Sequence, residues 1–150
     1  MKKTSEIYDP EDRFIETASG RFFNPLEPEF HLPDIAYSLS RTARFQGHSR
    51  EMVSVAAHSI FVATLMYRLD LGDPFEGLMH DAVEAYLGDT PSPFKALFPD
   101  FEALEHQVEA KMRAHYGLPT TMSPGCKKAD WIALFIEAHL YMPSEGKCFK

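Results

Sequence analysis

Residues Arg50–Leu69 read REMVSVAAHSIFVATLMYRL. Val55, Ser59, Val62 and Met66 recur at helical spacing and make one apolar stripe. Val53, Ala56, Ala57, Ile60, Ala63 and Leu65 extend that stripe nearly all round, which predicts a helix at the centre of the fold. Upstream, DIAYSLSRTARF (34–45) reads as a second helix, with Ile35, Leu39 and Ala43 on one face and Gly47 as its stop. Before it, residues 1–33 are rich in turn formers: Ser19-Gly20, Asn24-Pro25, Glu27-Pro28 and Leu32-Pro33. Phe14, Phe22, Phe23 and Phe30 are expected to pin this arm to the core.

Downstream, Asp73 is an N-cap residue, Pro74 takes the first helical position and Glu76 completes an Asp-x-x-Glu capping box. The helix they open is expected to run to Gly88. The prolines of DTPSP then force an extended turn, followed by a short helical FKALF. DFEALEHQVEAKMRAHYG repeats apolar residues at 101, 104, 108, 112 and 116 and stops at Gly117. SPGCKKADWIALFIEAHLYMP carries Ser123 as cap, Pro124 at the first position and Pro143 as terminator. With no alternating strand pattern, the expectation is an all-α single domain, a compact bundle of about five to seven helices.

The 150 residues suit one core, and 45% hydrophobic with 25% charged is the composition of a globular chain. No apolar run approaches the roughly 20 residues that span a bilayer. MKKTSEIYDPEDRF has no apolar stretch after its lysines, which argues against a secretory signal and for the cytoplasm. Cys126 and Cys148 lack CxxC spacing and read as ordinary thiols. A net charge of −7 without a dense basic run disfavours a nucleic-acid polymer as partner. A small anion would need a local positive site, such as a metal ion with one or two Lys or Arg.

The chemistry is concentrated in GLMHDAVEAYLGDTPSPFK (77–95). On a continuous helix His80, Asp81 and Glu84 project at about 0°, 100° and 40°, with small Gly77 and Ala85 leaving space beside them. His58 lies on the central helix and Asp130 just before WIALFI on the last one. Singly, each has an ordinary role: a hydrogen-bonded core histidine, or an aspartate paired in solvent with Lys127 or Lys128. Together, two imidazoles and several carboxylates on apolar helices are hard to satisfy without a cation. N,N,O,O ligation suits a divalent transition metal: Mn, Fe, Co, Ni or Zn.

The order His58, His80-Asp81, Asp130 resembles the H…HD…D signature of HD-domain phosphohydrolases. SVAAHS resembles the segment around that family's first ligand, HDAVEAYLGDTPSPFK its HDxxEaxxGDxPtPvK block, and KKAD the segment bearing the last ligand. DIAYSLSRTARFQGH resembles a segment with an Arg-aromatic pair. The resemblance spans roughly residues 14–142 and points to the 5′-deoxynucleotidase-like subgroup, which includes phage dATP triphosphohydrolases. It implies that His58, His80, Asp81 and Asp130 hold the metal. It implies that Glu84 orients or deprotonates the attacking water and that Asp89 acts near the leaving group. Lys95 and Arg44 would contact phosphate, with Phe45 against sugar or base. The implied substrate is a dNTP, dATP first, or alternatively a 2′-deoxynucleoside 5′-monophosphate; a non-catalytic nucleotide sensor and a plain helical scaffold are the other readings. A homo-oligomer, dimer or hexamer, is implied too. Two departures stand out. Ala57 replaces a Gln or Glu common in relatives, which removes a hydrogen bond behind the ligands. The chain stops soon after Pro143, where relatives continue, so one pocket edge is expected to be shorter or to come from another subunit.

Overall fold

A computed structural model describes residues 14–147. Cys148 and most of the lysine-led N-terminal stretch lie outside the described residues. The fold is all-α. Among the described residues, seven α-helices follow a two-stranded hairpin: β1 (Ile15–Glu16), β2 (Phe22–Phe23), α1 (Leu32–Leu39), α2 (Val55–Arg68), α3 (Pro74–Met79), α4 (Glu84–Leu87), α5 (Ser92–Lys95), α6 (Pro99–His115) and α7 (Pro124–Tyr141). None of the described helices is long and apolar enough to cross a membrane.

Helix α2 lies between α3 and α7. Its buried residues are Val55, His58, Ser59, Val62 and Met66, the stripe read from sequence with the histidine added. The other faces are not enclosed as expected: Ala57 and Ile60 face solvent. Ser54 caps it by accepting from the Ala57 N–H at 3.1 Å. Ser123 does the same for α7, accepting from Cys126 at 3.1 Å. Gly117, at φ +68°, lies just beyond α6 as expected.

Two glycines set the helix spacing. A Cβ on Gly77 would lie 2.7 Å from Met66 Sδ and 3.1 Å from the Ala63 backbone. The room expected beside His80 is therefore filled by α2. A Cβ on Gly125 would clash with the Leu71 carbonyl oxygen, so α7 begins hard against the α2–α3 connection.

Four other expectations need correction. First, α1 ends at Leu39, well short of Gly47. Ala43 pairs with Ser54 in an isolated antiparallel bridge, and Phe45 and Gln46 turn left-handed at φ 54° and 53°. Second, Asp73 caps α3 by accepting from Phe75 N–H at 2.9 Å, but Glu76 closes no capping box. Its carboxylate is buried and accepts from Arg113 of α6 at 2.6 Å and from the Ser123 N–H at 2.9 Å. An interior cation and an orphan amide outcompete the local bond, and three elements are joined. Third, the α3 helix does not run to Gly88. It breaks over residues 80–83 into tight turns, with bonds from Ala82 to Met79 O and from Glu84 to Asp81 O.

Fourth, only half of the aromatic set anchors the arm. Phe23 is buried and stacks on Tyr86 at 4.0 Å, with Phe30 tilted against both rings. Phe14 and Phe22 are exposed and meet each other edge-on at 4.9 Å. The hairpin is instead tied down by buried Asp34, which accepts from Thr17 Oγ1, from Ser19 N–H and from Ser19 Oγ at 2.7–2.9 Å.

Candidate metal centre

The break at residues 80–83 turns His80 and Asp81 toward α2 and α7. His80 Nε2 lies 3.1 Å from Asp81 Oδ2 and 3.7 Å from Asp130 Oδ1. His58 Nε2 lies 3.6 Å from Asp81 Oδ2 and 3.1 Å from Asp130 Oδ1. The four expected ligands therefore converge from α2, the broken turn and α7. One ligand atom each from His58, His80 and Asp130 falls within 4.8 Å of the others.

Both imidazoles have their second nitrogen occupied. His80 Nδ1 is 2.8 Å from the Gly77 carbonyl oxygen. His58 Nδ1 is 3.0 and 3.1 Å from the two oxygens of Glu137. Each ring then donates from Nδ1 and turns Nε2 to the shared point, the arrangement found where histidines ligate metals. His80 Nε2 is buried without a hydrogen-bond partner. That orphaned atom, facing two carboxylates and a second imidazole, fits a cation. With bonds of about 2.1 Å, neighbouring ligand atoms in a tetrahedral or octahedral shell lie about 3.0–3.4 Å apart, close to the imidazole–carboxylate separations here. Asp81 reaches both imidazoles but falls outside the group formed by His58, His80 and Asp130.

The electrostatics match. Burial alone would depress both histidines, but Asp130 and Glu137 beside His58, and Asp81 and Asp130 beside His80, outweigh it and raise their pKa values. Burial opposes the charges of Asp81 and Asp130, yet the same imidazoles hold both below the usual carboxylate range. The acids and imidazoles thus compete for protons that a metal ion would displace.

Glu84, first residue of α4, is buried, and its Oε2 has no hydrogen-bond partner. Burial, reinforced by Asp81 and Asp89, pushes its carboxyl up to about 9. Asp89, just past Gly88, is half-buried and raised mainly by burial, with Arg44 and Lys95 pulling the other way. It lines a cavity of about 460 Å³ with Thr42, Ala43, Gln46, Gly88 and Thr90. Gln46 Nε2 donates to the Asp89 carbonyl within this lining.

The expected phosphate contacts are engaged elsewhere in this state. Lys95 Nζ pairs with buried Glu105 of α6 at 2.7 Å, though Glu84 and Asp81 also act on its charge. Arg44 Nε is 3.1 Å from Glu137 Oε2 and its Nη1 is 3.8 Å from Asp81 Oδ2. The Arg44 guanidinium sits 5.4 Å from the Phe45 ring centroid. Glu137 and Glu105 are the residues that sequence reasoning missed. Each is a glutamate within a helix, and only the tertiary partner reveals it. Cys126 is buried, and burial pushes its thiol up to about 11, as an inert core cysteine requires.

No family model matches the chain. It is 42% identical over 127 residues to the uncharacterized protein YfdR of Escherichia coli, covering 83% of this chain and 70% of that protein. It is 32% identical over 132 residues to an uncharacterized protein of Rhodobacter capsulatus, covering 81% and 67% of the two.

Proposed function

The chain belongs to the family of Escherichia coli YfdR, and because that name carries no activity we propose its function from the chemistry of the site: a cytoplasmic metal-dependent phosphohydrolase acting on 2′-deoxynucleotides, dATP first among the triphosphates. One observation carries the reading. The Nε2 atoms of His58 and His80 each lie 3.1–3.7 Å from carboxylate oxygens of Asp81 and Asp130, while the buried Glu84, whose Oε2 has no hydrogen-bond partner, opens the helix just after the broken turn.

His58, His80, Asp81 and Asp130 would hold a divalent transition ion such as Mn, Fe, Co, Ni or Zn. Such an ion, when bound, would screen the anionic phosphate oxygens and lower the pKa of the attacking water. Glu84, protonated at neutral pH in the metal-free protein, would orient that water, and would take its proton once a nearby cation had drawn its carboxyl back to the ionised form. Asp89, facing the neighbouring cavity, serves the leaving group. Arg44 and Lys95 exchange their carboxylate partners for phosphate oxygens when substrate enters, and Phe45 packs on sugar or base. The same groups would serve a 2′-deoxynucleoside 5′-monophosphate, the alternative substrate. A homo-oligomer, dimer or hexamer, is part of the proposal and is measured by sedimentation.

Protein reconstituted with each metal in turn, incubated with dNTP and dNMP panels, tests the reading. Release of triphosphate or pyrophosphate from dNTPs identifies the first substrate class, and orthophosphate from dNMPs the second. Wild type is expected to hold stoichiometric metal that His80→Ala loses. Absence of phosphate, pyrophosphate or triphosphate release with every metal overturns the enzyme. Binding of nucleotide without turnover would leave a sensor.

A further inference from the structure

Glu137 lies seven residues after Asp130 on α7, which puts the two carboxylates on one face about two turns apart. Between them sits His58 of α2, fully buried. Asp130 Oδ1 is 3.1 Å from its Nε2, and the Glu137 oxygens are 3.0 and 3.1 Å from its Nδ1. One helix thus grips both edges of the ring. Of the two neutral tautomers, only the one protonated at Nδ1 satisfies Glu137. The other would set a lone pair against a buried carboxylate and aim an N–H at the ligand point.

Glu137 itself is buried, and a buried carboxylate needs a counter-charge. Arg44 supplies it, with Nε 3.1 Å from Oε2, and reaches on to Asp81 at 3.8 Å. We infer that Glu137 is the positioning residue of the metal centre: it fixes the ring and tautomer of His58 for ligation through Nε2 and holds Arg44 between itself and Asp81. This rests on the metal site proposed above. It also answers the departure at position 57. Ala57 faces solvent, and the support behind the first ligand comes from α7 across the core.

Glu137→Gln keeps the volume of the side chain and removes its charge. Zn²⁺ affinity, measured by competition with a chelating dye, is expected to fall about 10- to 100-fold. In zinc-loaded wild type the His58 Nδ1 proton is expected as a discrete, slowly exchanging NMR resonance, shifted or lost in the variant. Glu137→Asp is expected to recover part of the affinity. A Glu137→Gln protein that melts like wild type and binds Zn²⁺ equally well overturns the inference alone. Failure of wild type to bind Zn²⁺ overturns it together with the metal site. Absence of nucleotide hydrolysis with zinc affinity still dependent on Glu137 overturns only the enzyme.

Discussion

Glu84 and Glu137 are both buried glutamates, but their surroundings assign them opposite work. Glu137 accepts from His58 and forms an ion pair with Arg44, whereas Glu84 Oε2 has no hydrogen-bond partner beside the expected ligands. A group that donates nothing to the ligand set but can reach a proton is a proton-transfer group. Glu84→Ala is therefore expected to retain stoichiometric metal and to lose about 10²- to 10⁴-fold in turnover. Metal analysis and nucleotide hydrolysis on one preparation check both halves, and loss of metal would make Glu84 a ligand instead. Glu84 was legible from sequence because it falls close after the His80-Asp81 pair. Glu137 was not, because its partner His58 is 79 positions away and an acidic residue on a helix ordinarily reads as solvated. Glu105, the partner of Lys95, was hidden for the same reason.

Helix starts were legible at Asp73 and Ser123, each of which accepts from an amide of the first turn. The start of α2 was read from Arg50, but Ser54 caps it and the helix begins at Val55. Helix interruptions were not. Nothing local announces the break at 80–83 or the left-handed pair Phe45-Gln46, because these are imposed by packing from outside the segment. Gly77 shows how. Its missing side chain lets α3 press on Met66 and Ala63 of α2, and its carbonyl oxygen holds His80 Nδ1. A methyl group there must push α3 off α2. Gly77→Ala is expected to cost about 1–3 kcal/mol in denaturant unfolding, the usual range for overpacking. Metal affinity is expected to fall with it, since His80 moves with α3. Unchanged stability would mean that Met66 simply swings aside.

The molecule as a whole brings three separate segments onto one point and crowds acids there, so its stability is tied to what neutralises them. Without metal, protons on His58 and His80 do so. Both histidines have folded pKa values raised above the ordinary imidazole range, so their stabilising contribution is complete below the unfolded value of about 6.5 and is lost as pH rises through the folded values. Glu84 acts in the same direction. Its carboxyl at about 9 stays protonated when folded but ionises on unfolding, so the unfolded chain is increasingly favoured from about pH 4.3 to 9. Asp81 and Asp130, depressed when folded, have already delivered their contribution above about pH 4 and change nothing in this window. The metal-free protein is therefore expected to lose melting temperature steadily from pH 6 to 9. A bound divalent ion replaces those protons, and because it binds only the folded arrangement it adds about 2.7 kcal/mol when free metal exceeds Kd about 100-fold. Melting curves of chelated and metal-loaded protein should therefore diverge as pH rises, with His80→Ala indifferent to added metal. Parallel curves across that range would mean that the cluster of imidazoles and acids is neutralised by something other than a cation.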